Sequence, residues 1–344
     1  MKTLFYLLFA CLLAGCSPIN YVGIETYNPA EITFPKNVRR VLIVNNAVPQ
    51  PDNVGYQLKL FGTVQDTARA EADSALLNVC TSLGKSIFDV SYFDDVLLYH
   101  DPIRKDTRYL VDDKLSAEQV EALCKETETD AIISIDRLLF EMNKNVVSFA
   151  DGFVGGEVDV KIAGVARSYL PGRNRPLATV LVNDSVFWSE TADNMELLNI
   201  FIPSPTKALQ AAGSYIGEKL APNFVPHWEN ETRWYYSGLT SSWKEASAYV
   251  NARNWEAAAG RWRIIYKTSS NWKNRAKAAS NLALYYEMGT KLEDACEWAA
   301  KSYDLFEKNK GGDDRYTQIQ KLYLNALQAR LQSDKKLKMQ FDGE

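Results

Sequence analysis

The sequence predicts an α+β protein: an N-terminal domain with the element order β-α-β-α-β-β-β-α, then an all-α repeat region. Three observations carry this. Short apolar runs such as Val41-Leu42-Ile43-Val44 alternate with helical stripes over the first two thirds of the chain. From residue 240 the apolar spacing is helical throughout. Within that region Ala246, Tyr249, Ala258 and Trp262 recur as Ala283, Tyr286, Ala295 and Ala299, each 37 residues later.

Residues 1–15 have the anatomy of a signal peptide. Lys2 is the basic start, and residues 4–14 are an apolar run, short of the ~20 residues a bilayer span needs. Small residues lead into a cysteine. The ending Leu13-Ala14-Gly15-Cys16 resembles a bacterial lipobox. The resemblance implies cleavage before Cys16, a lipid on Cys16, and attachment to the outer membrane through that lipid. No acidic cluster follows Cys16, such as some envelope lipoproteins use for surface export, so the periplasmic face is expected. Residues 16–36, with Pro18, Asn20, Gly23, Asn28, Pro29 and Pro35, read as an extended tether.

The α/β domain is expected over residues 37–222. Residues 38–46 form the first, buried strand. A polar loop with Pro49, Pro51 and Gly55 follows. Ala68, Ala72, Leu76, Val79 and Leu83 then recur at helical spacing behind Asp66-Thr67 as an N-cap. Residues 87–99 read as the second strand. Residues 116–126 form a second helix with Val120, Leu123 and Cys124 inward, and residues 131–140 a third strand. Val158, Val160 and Ile162 alternate with charged residues in a fourth strand, and Gly152, Gly155 and Gly156 make a loop before it. Pro171-Gly172 turns the chain into a fifth strand at 179–188. Ser204-Pro205-Thr206 starts a helix that Pro222 ends, in which Gly213 serves close packing. This order, with Val41-Leu42-Ile43-Val44 and Thr129-Asp130-Ala131-Ile132-Ile133, is similar to the α/β domain of several envelope proteins. These are the curli-secretion pore lipoprotein, the lipoprotein activators of penicillin-binding proteins, and the N-terminal domain of the Tol-system propeller protein. The resemblance implies a fold and transfers no activity.

Residues 223–239 are an aromatic junction with Phe224, Trp228, Trp234, Tyr235 and Tyr236, expected to pack between the domains. Residues 240–333 hold two helix pairs and a closing helix over about 314–332. Capping boxes are expected at Ser242-x-x-Glu245 and Thr290-x-x-Glu293, and a helix-ending glycine at Gly289. Residues 334–344 read as a disordered tail. The small–Tyr–small–large spacing resembles tetratricopeptide repeats. That register implies a peptide groove in which Trp243, Ser247 and Asn251 face Lys277, Ser280 and Glu287. The chain as a whole resembles an uncharacterised family of bacterial outer-membrane lipoproteins of unknown function.

The chemistry is sparse. The chain has 39 basic and 43 acidic residues, a net charge of −4, which argues against nucleic-acid binding. His100 and His227 are the two histidines and sit in no triad or ligand spacing. No zinc-protease, nucleophile-elbow, P-loop or dinucleotide motif occurs, so no catalytic residue, metal or cofactor is expected. Glu126, Glu128 and Asp130 read as a solvated helix–strand connection. Cys80 and Cys124 lie on apolar stripes as buried thiols, with a mutual disulfide as the alternative. Residues 253–277 carry seven basic side chains and one acid, Glu256, around Trp255, Trp262 and Trp272. A solvated face over buried rings accounts for them, or a groove for an acidic ligand. The expected function is a non-enzymatic, lipid-anchored scaffold or assembly factor for an envelope protein. Glycan binding by the tryptophan-rich C-terminal part is the alternative.

Overall fold

The computed structural model describes residues 19–65 and 69–341. Cys16 and the Asp66-Thr67 cap lie outside the described residues. The chain is α+β and divides into two compact units. One comprises residues 29–227; the other joins the N-terminal segment up to residue 28 to residues 228 onward. The expected tether is therefore in part a strand. β1 (Ile19–Asn28) pairs with a strand of the helical unit more than 200 residues away, and Asn20 Nδ2 donates to Ser237 Oγ at 3.1 Å.

In the α/β unit, β2 (Arg40–Asn45) is the buried strand the apolar run predicts. The loop after it contains a hairpin, β3 (Tyr56–Leu60) and β4 (Thr63–Gln65), whose polar strands hide their pattern. α1 (Ala72–Val90) starts later than expected and runs further. Ile87 stands four residues after Leu83 and continues the buried stripe, so the expected strand at 87–99 shrinks to β5 (Asp95–Leu98). α2 (Ala117–Thr127) is closed by a capping box between Ser116 and Gln119. β6 (Ala131–Ser148), β7 (Val154–Tyr169) and β8 (Ala178–Ala192) form a long antiparallel meander, and Gly155 and Gly156 lie within β7 rather than in a loop. α3 (Met195–Phe201) and α4 (Pro205–Leu220) complete the unit.

β6 organises the sheet. Its first part pairs in parallel with β2, its later part in parallel with β3, and β7 runs along it antiparallel. β5 lies outside β2, also parallel. Leu76, Val79, Leu83 and Ile87 of α1 and Leu209, Ala212 and Ile216 of α4 share one core with Val41, Ile43 and Ile133. α2 covers the opposite face through Val120, Leu123 and Cys124 against Leu42, Val44 and Ile132. α1 and α4 meet backbone to side: a Cβ at Gly213 would stand 2.4 Å from the Ala75 carbonyl oxygen, and one at Gly217 2.5 Å from that of Val79. Cys80 and Cys124 are free and buried, each in a different core, so they form no disulfide.

The helical unit contains β9 (His227–Tyr236), α5 (Ser241–Asn251), α6 (Trp255–Thr268), α7 (Trp272–Met288), α8 (Leu292–Lys310) and α9 (Arg315–Phe341). The α5–α6 and α7–α8 turns each hold one left-handed residue, Arg253 and Thr290. The expected caps are corrected. Thr240 and Lys291 occupy the N-cap positions of α5 and α8 without side-chain hydrogen bonds. Gly289 has φ −86°, so the left-handed turn falls on Thr290 instead. The tail expected to be disordered is helix as far as Phe341, whose ring stacks 6.3 Å from Tyr27 of β1. The aromatics at 223–239 divide between the units: Phe224 lies in the α/β core, Tyr235 and Tyr236 in the helical core.

Candidate functional site

The expected groove does not form a surface. Trp243 is 2% exposed, and Ser280 and Glu287 are fully buried. Asn251 is exposed, and Ser247 and Lys277 are half-buried. α7 explains this. It packs between α6 and α8, and residues 278–284 are buried without interruption. The run Ala278-Ala279-Ser280-Asn281-Leu282-Ala283-Leu284, uncharged and with only Ser280 and Asn281 polar, is the signal of an enclosed helix. Asn281 binds the Tyr236 backbone on both sides, at 2.7 Å each. Glu287 is a structural anion. It receives Arg233 Nη2 and Arg330 Nη1, each at 2.9 Å, and Tyr323 Oη at 2.8 Å.

An open concavity of the helical unit lies at the α7–α8 turn. It has a volume of about 260 Å³ and is lined by Trp255, Tyr285, Tyr286, Met288, Gly289 and Lys291. Tyr285 and Tyr286 meet edge to face with centroids 5.2 Å apart. The Arg263 guanidinium stands 5.5 and 5.7 Å from their centroids and donates to Tyr286 Oη at 3.1 Å. That bond raises Arg263 above its ordinary value. Apolar walls with cations at Arg263 and Lys291 suit an apolar side chain next to an acidic group. Much of the basic stretch is otherwise occupied on rings: Arg275 stands over Tyr266, Lys277 over Tyr236 and Lys273 over Trp272.

The α/β unit has a second polar centre. The crossover through α1 carries the chain from β2 to β5, and α2 returns it to β6 on the other side of β2. Strand order therefore reverses beside β2, and ligands in open α/β sheets bind at such a place, beyond the carboxyl ends of the strands. Here the place is filled by side chains. Asp136 occupies the register shift between Ile135 and Arg137 of β6. It is fully buried and accepts from Asn46 Nδ2 (3.1 Å), Ser134 Oγ (2.6 Å), Tyr169 Oη (2.6 Å) and Arg167 Nη1 (2.7 Å). Arg167 also chelates Asp112, at 2.5 and 2.7 Å. This hydrogen bonding holds Asp112 below the usual carboxylate range and Arg167 above its own. Burial, then the Asp136 charge, push the Tyr169 hydroxyl up. The sequence offered no signal for this cluster, because its members come from four separate segments. His100 lines a cavity of about 370 Å³ nearby, with Asn45, Tyr99 and Arg104.

The carboxylate trio is a helix–strand connection. Glu126 and Glu128 are exposed, and Asp130 Oδ2 accepts the backbone N–H groups of Arg39 (2.8 Å) and Arg40 (2.9 Å). Among the described residues no group of His, Cys, Asp and Glu is placed to hold a metal ion, and no helix is long and apolar enough to cross a membrane.

These features describe an α+β protein with a sheet unit and a mainly helical unit. A model for a domain of unknown function, DUF8603, matches residues 38–236, more than half of the chain, and the chain belongs to that family. A second domain of unknown function, DUF6340, matches residues 244–329. No curated protein matches the sequence. A crystal structure of protein XCC0632 from Xanthomonas campestris, of the family model DUF330, is similar at 9% identity. The match covers 57% of this chain and 94% of that one, with a TM-score of 0.22.

Proposed function

We propose that this chain is a non-catalytic, lipid-anchored envelope protein whose helical unit docks a protein partner. The observation that carries the docking reading is the aromatic concavity of Trp255, Tyr285, Tyr286 and Met288 with Arg263 and Lys291 beside it. It recognises an apolar side chain flanked by acidic residues on the partner. The repeated helix–turn–helix supports reading the unit as tetratricopeptide-like, although its period of 37 exceeds the usual 34. The anchor rests on Leu13-Ala14-Gly15-Cys16. A lipid on Cys16 holds the protein at the outer membrane, on its periplasmic face.

A photocrosslinking residue in place of Met288 tests the docking site in intact cells. One discrete protein adduct is expected, and none from the same residue at Leu322, an exposed position on α9. Equal labelling from both positions overturns the site. Binding of polysaccharide without a protein adduct favours the glycan reading, in which Trp255 and the tyrosines stack on sugar rings. Incorporation of a labelled fatty acid, abolished by Cys16→Ser, tests the anchor.

A further inference from the structure

We propose that β8 pairs with β8 of a second copy of this chain, antiparallel and centred on Asp184. β8 is an edge of the sheet, hydrogen-bonded to β7 alone. It is 15 residues long, and its pairing runs without a shift from Val154↔Ala192 to Ser168↔Ala178. It contains no proline, lysine or arginine, devices by which exposed edges are kept from pairing, and its two charged residues are Asp184, which is paired to Lys219, and Glu190 near its end. The other ends of the sheet, β4 and β5, have three and four residues.

The register follows from the side chains. Leu181 is 78% exposed and Phe187 58% exposed, on the same face and symmetric about Asp184. Pairing centred on Asp184 sets Leu181 opposite Phe187 of the second copy, Asn183 opposite Ser185 and Thr179 opposite Ser189. Apolar meets apolar and polar meets polar. Moving the centre to Ser185 sets Leu181 against Ser189 and Phe187 against Asn183, and loses both matches. On the other face, Val182 meets Val186, and Trp188 of one copy meets Val180 of the other. Beside Val180 lies a cavity of about 190 Å³, walled by Val182, Ile216, Leu220 and Lys219. Trp188, half-buried against its own core, stands across the seam from this cavity. The two central Asp184 carboxylates do not repel freely, because each is ion-paired to Lys219 of its own chain.

Cysteines at positions 181 and 187 of one chain test the register, in the full chain purified in detergent with Cys11, Cys16 and Cys296 changed to serine. Opposed residues of paired strands stand about 4.5–5.5 Å apart at Cα, within disulfide range. The Leu181→Cys/Phe187→Cys variant is expected to give a covalent dimer under mild oxidation. Either single variant places its two thiols roughly 20 Å apart and is expected to stay uncrosslinked. By sedimentation the unaltered chain is expected to have twice the mass of the Leu181→Lys/Phe187→Lys variant, whose melting temperature is expected to be retained. A monomeric unaltered chain, single variants that crosslink as readily as the double, or a Lys variant that remains dimeric overturns the proposal.

Discussion

Arg253 and Thr290 hold the same left-handed backbone conformation, φ 58° and 57°, 37 residues apart. The following amides bond alike: Asn254 N–H donates to Tyr249 O at 2.8 Å and Lys291 N–H to Tyr286 O at 2.9 Å. Side chains with a Cβ are strained there, a β-branched one most. Thr290→Gly is therefore expected to stabilise the helical unit by about 0.5–1 kcal/mol and Arg253→Gly by less, after the flexibility cost of glycine. Thermal unfolding followed by helical ellipticity checks this. A lower midpoint for Thr290→Gly would remove the strain argument.

Glu287 links strand and helices inside the helical unit through Arg233, Arg330 and Tyr323. Removing one partner of a buried ion pair leaves the other charge unsatisfied. Glu287→Ala is expected to cost about 3–5 kcal/mol. Urea unfolding measures it, and a loss below about 1 kcal/mol would show that Arg233 finds water instead.

Gly213 and Gly217 let α4 approach the carbonyls of α1. Alanine at either site must push the helices apart, because the obstructing atoms are backbone. Each substitution is expected to destabilise the α/β unit by about 1–3 kcal/mol. Gly260, where an added Cβ meets nothing within 4 Å, is the control, and Gly260→Ala is expected to be neutral or stabilising.

Asp112 has its folded pKa depressed by Arg167. Its contribution to stability is then complete above the unfolded carboxylate value, about 3.9, and is lost as pH falls from there through the folded value. The stability of the unaltered chain is expected to drop between about pH 4 and the folded pKa. Asp112→Asn is expected to be less stable at neutral pH and to show a shallower acid limb. Parallel slopes in the two proteins would assign the acid sensitivity elsewhere.

Where apolar periodicity carried the element, the sequence was legible. β2, α2, α4 and the cores of β6 to β8 stand where their residues place them. The hairpin β3–β4 was invisible because its strands are polar and its partner is the far half of β6. The groove failed for a related reason. A helical register says which residues share a face, but not that α7 is enclosed on both sides by its neighbours. Polarity misled at Glu287, since a buried polar residue looks like surface until its partners are known.

By itself the sequence determined the local terms: strand and helix periods, the 37-residue repeat, and the Leu-Ala-Gly-Cys ending before residue 17. These depend on residues within a few turns or strands of one another. Tertiary structure alone decided what distant residues share. It turned the supposed tether into β1 against β9, set Arg233 on Glu287 54 residues away, and gathered Asn46, Asp112, Asp136 and Arg167 beside β2. The physical reason is that a buried charge or an unpaired strand edge is tolerable only with its partner present, and nothing in local sequence names that partner.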